Sequence, residues 1–230
     1  MNLIQSTIYV SLFAQLASTL YSLLGLYVPL YNENAILTDI LGLETIVQFI
    51  ELAFYITFGF ILPNMTATTD IAVYRYADWF LTTPTMILST IMFMDYIRRK
   101  ENQPQDPTTQ ELPTLWSFLQ QNWIPTLIIL VCNAFMLSMG YMREIGVLDI
   151  WTSTILGFVG FVGVFWMIKT KYAMNHPINQ YLWYYMTTTW SMYGVAATFP
   201  NILKNSTYNL LDIVSKNFYS VFLTTYILYL

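Results

Sequence analysis

Apolar residues run through this chain in long blocks separated by short polar seams. Seven blocks are legible, over about 3–29, 36–62, 72–95, 115–141, 146–171, 178–199 and 206–229, each near the ~20 residues that cross a hydrocarbon core as a helix. They are apolar on nearly every face, as helices are when they meet lipid and one another rather than water. The pattern predicts an all-α bundle of seven transmembrane helices, a single membrane domain over residues 1–230. The longest polar seam runs from Asp95 to Pro113 and carries Arg98, Arg99, Lys100, Pro104, Pro107 and Pro113. No internal repeat or low-complexity tract interrupts the pattern.

Composition agrees. Hydrophobic residues make up 56% of the 230 and charged residues only 10%, against about a quarter in soluble domains; mean hydropathy is +0.51. A lipid bilayer is the expected environment. The net charge of −4 comes with no basic patch, which argues against a nucleic-acid partner. The single cysteine, Cys132, lies in an apolar block and forms no internal disulfide. No basic residue precedes the first block, so no cleavable signal peptide is expected. The seams after blocks three and five hold Arg98, Arg99, Lys100, Lys169 and Lys171, whereas those after four and six hold Arg143 and Lys204. The positive-inside rule then puts the N-terminus outside and the C-terminus in the cytoplasm. Two sequons, Asn64-Met65-Thr66 and Asn205-Ser206-Thr207, fall on the outer side, where short seams make glycosylation a weak expectation.

The candidate chemistry lies in charges inside the blocks. Of the nine Lys and Arg residues, seven lie in the seams or at their edges; the other two are Arg75 and Lys216. They coincide with Asp78 and Asp212, while Glu44 and Glu51 occupy the second block. Charged groups at such depth face a bundle interior and pair with one another. Asp212 and Lys216 stand four residues apart, on one helical face. An intrahelical ion pair that merely tolerates the lysine is the plain reading, but it leaves two buried charges costing several kcal/mol with no use. The sharper reading is an amine kept in an apolar pocket to condense with an aldehyde, with Asp212 and Asp78 as its counter-charges. Asp78, Thr82 and Ser89 form one stripe of the third helix, Arg75 lies one turn outward from Asp78, where it would stabilise both aspartates, and Pro84 predicts a kink.

Arg75-Tyr76-Ala77-Asp78-Trp79, followed by Thr82-Thr83-Pro84, with Asp212-x-x-x-Lys216 in the last block, resembles the microbial (type 1) rhodopsins, and the first motif is nearly residue for residue that of bacteriorhodopsin. The resemblance covers all seven blocks. It implies all-trans retinal held on Lys216 as a protonated Schiff base, Asp78 as primary counterion and proton acceptor, and Asp212 as second counterion. Trp79 and Trp190 would flank the polyene. Thr83, Met136, Gly140, Trp151, Thr154, Phe158 and Tyr193 align with the rest of the pocket, and Met86 with a colour-tuning position. Each of these aromatics alone is more often ordinary packing; their joint placement favours a ligand pocket. It implies a photoreceptor and ion transporter rather than an enzyme, often a homo-oligomer, with protons or small cations as cargo and no metal.

The chain departs from the pump pattern. Ser89 stands where bacteriorhodopsin has its cytoplasmic proton donor, and a serine hydroxyl does not ionise near neutral pH, so it cannot store and deliver a proton. Lys204 stands where one carboxylate of the release pair is expected, Gly194 replaces a sixth-helix proline, and Ala197 a pocket-wall tryptophan. In the second block Glu44, Gln48, Glu51 and Tyr55 share one stripe. Two interhelical, protonated glutamates are the bland explanation. An acidic lining for a cation path is the functional one, and channelrhodopsins carry a similar row. Together with Ser11 in the first block, these features are similar to the giant-virus rhodopsins. Three functions follow: a light-gated cation channel, favoured by Glu44, Glu51 and the missing donor; an outward proton pump, favoured by Asp78, Thr82 and Arg75; and a sensory receptor, weakened because no signalling domain follows Leu230. Since no other lysine lies mid-block, Lys216→Ala is expected to insert in the membrane yet show no visible band with retinal. A coloured variant would place the attachment elsewhere.

Overall fold

A computed structural model describes residues 3–31, 34–61, 71–101, 114–174 and 176–230. They form seven helical rods and, among the described residues, no strand. We label them α1 (Leu3–Leu26), α2 (Ile36–Ile56, continued by a π-helical turn Thr57–Ile61), α3 (Ala72–Glu101), α4 (Leu115–Glu144), α5 (Ile150–Ile168, continued by a π-helical turn Lys169–Ala173) and α6 (Pro177–Ala196). The seventh rod, α7, joins Asn201–Asp212, a π-helical turn Ile213–Asn217, and Phe218–Leu228. Each rod packs on its neighbour in sequence and α7 closes the ring on α1. Five rods, α1 to α5, are long and apolar enough to cross a membrane by themselves; α6 has 20 residues and α7 is interrupted by its π turn.

The seven expected blocks are all present, with shifted ends. α3 runs six residues past Asp95, which is buried; its carboxylate meets Arg98 and accepts from Arg99 at 2.6 Å. α7 begins at Asn201 rather than near 206, so Lys204 and Asn205 lie in a helix and not in a connection. Both are buried, which removes the Asn205 sequon as a glycosylation site. The Asn64 sequon, like most of the Asp95–Pro113 seam, lies outside the described residues. α3 passes through Pro84 as one helix. The non-helical residue is instead Asn122 of α4 (φ −121, ψ 20), three residues before Pro125, whose ring and missing N–H disturb the preceding turn.

Burial is inverted relative to a soluble bundle. On α1 the enclosed face carries Thr7, Ser11, Gln15, Ser18, Thr19 and Ser22, while Phe13, Leu20 and Leu24 are more than half exposed. In water that arrangement would expose apolar area at about 25 cal/mol per Å²; in lipid it costs nothing, and the polar groups find partners inside. The protein is an integral, multi-pass membrane protein. α3 is its central rod, with 72% of its apolar window buried, against 22% for α4 and α5.

Glycine permits a close contact between α4 and α5. A Cβ on Gly160 of α5 would stand 2.8 Å from the Cys132 carbonyl oxygen and 2.9 Å from the Met136 nitrogen of α4, backbone atoms that cannot turn aside, as in other small-residue membrane contacts. Gly160→Val is therefore expected to lower stability by about 1–3 kcal/mol, read as a lower thermal unfolding midpoint in detergent.

Candidate functional site

The π-helical turn of α7 ends its first half at Asp212 and carries Lys216. Such turns add a residue to the helical ring and are frequent at functional sites. The Lys216 Nζ is buried, 3.2 Å from Asp78 Oδ2 of α3 and 3.6 Å from Asp212 Oδ1. It also meets Glu51 Oε1 of α2 directly. The amine thus faces three carboxylates on three helices, not the two aspartates expected from the motif.

The aspartates differ in their surroundings. Asp212 Oδ2 accepts from Tyr55 at 2.6 Å and from Arg75 Nη1 at 3.3 Å, and Oδ1 from Tyr193 at 2.8 Å. Asp78 Oδ1 accepts from no described group. Arg75 is buried and its direct ion pair is with Asp212; its other nitrogens reach Asn205 at 3.4 Å and Asn209. Thr82 Oγ1 donates to the Asp78 backbone carbonyl at 3.1 Å, so it fastens the helix turn rather than the carboxylate.

An elongated cavity opens from the Lys216 amine between α3, α4, α5, α6 and α7. Trp79, Thr83, Met86, Met136, Gly140, Thr154, Phe158, Trp190 and Tyr193, all expected there, line it with Lys216. Trp151 does not: it lies on the first turn of α5 and is 68% exposed, because the helix face toward the cavity is that of Ser153, Thr154, Gly157 and Phe158. Gly194 and Ala197 also line the wall, and a Cβ on Gly194 would come within 2.8 Å of the Phe158 ring. Tyr208, which the sequence pattern did not single out, packs edge-on to Trp79 with centroids 5.0 Å apart and stacks on Tyr193 at 5.8 Å.

The family model for bacteriorhodopsin-like proteins matches residues 3–230. The chain belongs to that family. Among solved structures, the viral rhodopsin OLPVRII is 25% identical, with TM-score 0.79 over 98% of this chain and 97% of that one. Halorhodopsin from Halobacterium salinarum (14% identical, TM-score 0.72, 98% and 93% covered) and the light-driven proton pump rhodopsin of Coccomyxa subellipsoidea (15%, 0.71, 98% and 97%) share the fold. A comparison with curated protein sequences finds no match. Bacteriorhodopsin-like proteins bind retinal, and the lining here fits it: aromatic and apolar walls, with Lys216 at the polar end.

A second set of buried polar groups runs beside the rhodopsin cavity, between α1, α2 and α7. Ser11 Oγ donates to the Asn209 carbonyl at 2.7 Å, and Asn209 Nδ2 to Thr7 at 2.7 Å. Further along, Asn217 Nδ2 donates to Gln15 Oε1 at 2.8 Å and to Gln48 Oε1 at 3.0 Å, while Ser18 donates to Gln48 at 2.5 Å. Glu44 leaves this line for α3, where the Ser89 hydroxyl donates to its Oε1. Lys204 donates to Glu144 of α4 at 2.7 Å, and Glu144 also accepts from Arg143 at 2.6 Å. Arg143 and Lys204 therefore share one acid, Glu144. Ser11, Gln15, Ser18 and Ser22 recur at helical spacing, as do Asn205, Asn209 and Asp212. That periodicity was the available signal for the unforeseen partners.

Arg75 is a buried cation whose removal strands Asp212 among phenols. Arg75→Leu is expected to destabilise the protein by about 3–5 kcal/mol, measurable by thermal unfolding, with Tyr55→Phe much milder.

Proposed function

We propose that this rhodopsin is a light-gated cation channel that carries all-trans retinal on Lys216, with its N-terminus outside and its C-terminus in the cytoplasm. The observation that carries the reading is a line of buried polar groups between α1, α2 and α7. It comprises one hydrogen-bonded cluster of Thr7, Ser11 and Asn209 and a second of Gln15, Ser18, Gln48 and Asn217, with Glu44 beyond them turned to Ser89. Among the described residues, Gln15 Nε2, Asn217 Oδ1 and Glu44 Oε2 have no hydrogen-bond partner. Buried groups in that condition call for water or an ion. The orientation rests on Arg98, Arg99, Lys100, Lys169 and Lys171 at one end, against Arg143 and Lys204, both paired with Glu144, at the other.

Retinal, when bound, supplies light absorption and a bond rotation next to the lysine nitrogen. The chain's own residues do the rest. Asp78 is placed to receive the proton of the Lys216 nitrogen: its Oδ2 is 3.2 Å away and its Oδ1 is uncommitted. Asp212 is occupied by Arg75, Tyr55 and Tyr193 and stays in place as a fixed counter-charge. Movement at the nitrogen acts directly on α7, and Gln48 Nε2 holds the Lys216 carbonyl at 3.3 Å. A shift of that turn therefore loosens the Gln48–Asn217–Ser18 contacts that close the polar line.

A second reading, an outward proton pump, is favoured by one specific contact. The donor position on α3 is Ser89, yet the Glu44 carboxyl of α2 lies against its hydroxyl, so a proton-holding group is present after all, on the neighbouring helix. Photocurrent against voltage separates the two. A channel current reverses near the equilibrium potential of its ion, and Gln48→Leu should cut it about tenfold or more by placing an apolar group in the constriction. A current of one sign at every voltage, with return of the Schiff-base proton slowed about tenfold or more in Glu44→Gln, would replace the channel by the pump.

A further inference from the structure

Glu51 was expected on an ion path. It lies against Lys216 Nζ, fully buried, and neither of its oxygens accepts a hydrogen bond from any other described group. A carboxylate with no partner but a shared amine is held there by that amine. The formal charges around the nitrogen do not balance. Glu51, Asp78 and Asp212 supply three negative charges; Lys216 and Arg75 supply two positive ones. The other side chains bonded to these carboxylates are neutral: Tyr55 of α2 and Tyr193 of α6, both on Asp212. Glu44 lies further along α2, bonded to Ser89. A net charge left inside a low-dielectric bundle is costly, and a single proton removes it. Asp212 already accepts from three donors. The uncommitted oxygens belong to Glu51 and Asp78.

We propose that Glu51 is a third counter-charge of the Lys216 nitrogen, interchangeable with Asp78, and that these two carboxylates hold one proton between them. The arrangement lets α2 take over the charge when α3 is neutralised. It ties the polar line of α1, α2 and α7 to the light-absorbing centre through one residue. The inference rests on the reading of Lys216 as the retinal lysine.

The test is a double-variant cycle read by absorption at pH 7 in the retinal-reconstituted protein. Asp78→Asn leaves Glu51 and Asp212 against Lys216 and Arg75, and Glu51→Gln leaves Asp78 and Asp212. Each single variant balances and should keep its visible band. The double variant retains Asp212 alone, so the nitrogen should lose its proton and the near-ultraviolet share should rise about tenfold or more, the effect of losing an opposite charge within ~4–6 Å. Glu51→Asp, which keeps the charge, should restore the visible band in the Asp78→Asn background. Infrared spectra should show a protonated carboxyl stretch in the wild type that disappears in Glu51→Gln. The proposal is overturned if Asp78→Asn alone goes to the near-ultraviolet, or if the double variant stays as visible as Asp78→Asn. The Asp78→Asn arm decides even where Glu51→Gln fails to fold. A failure of the retinal reading looks different, since the wild type would then have no visible band that depends on Lys216.

Discussion

The ammonium of Lys216 is buried, and much of the interior is arranged around that fact. Moving such an ion out of water costs several kcal/mol even after relaxation, and lipid offers no compensation. The compensation comes from Glu51, Asp78 and Asp212, supplied by α2, α3 and α7. These acids need partners in turn. Arg75, Tyr55 and Tyr193 attend Asp212, and Asn209 and Asn205 attend Arg75. A single buried charge thus fixes the relative positions of α2, α3, α6 and α7 and accounts for the polar character of a region that would otherwise be packed with apolar side chains.

The same constraint shapes the choice between a channel and a pump. A pump needs one proton at a time to pass the lysine nitrogen, with acceptor and donor on opposite sides. Asp78 and the Glu44–Ser89 contact provide for that. A channel needs a line of groups that can exchange partners with water or ions, and the amides and hydroxyls between α1, α2 and α7 provide for that. In the structure both depend on α2: Glu44 faces Ser89, Gln48 faces Asn217, and Glu51 faces Lys216. One stripe of one helix therefore touches the donor position, the polar line and the lysine.

Several features could be read from residue order. Block length and hydropathy determined seven membrane helices, because hydrocarbon thickness and backbone hydrogen bonding leave few alternatives. The Arg75–Thr83 motif and the Asp212–Lys216 spacing located the site, because charges at that depth persist only where they pair. The stripe Glu44–Gln48–Glu51–Tyr55 was legible as one buried face from its period, and every member is fully enclosed. What the order of residues left open concerned contacts between helices. The period places Glu51 on the inner face but does not give the rotation and height of α2 that bring its carboxylate to Lys216 rather than to a path beside it. Trp151 sits at a matching place along α5, yet the rotation of that helix turns it outward. Lys204 reads as part of a polar seam until α7 starts five residues early and Glu144 of α4 receives it. Local spacing is set by backbone geometry, which a sequence carries. Which side chains meet across helices depends on rotation, register and the π turn of α7, and only packing of the whole bundle decided those.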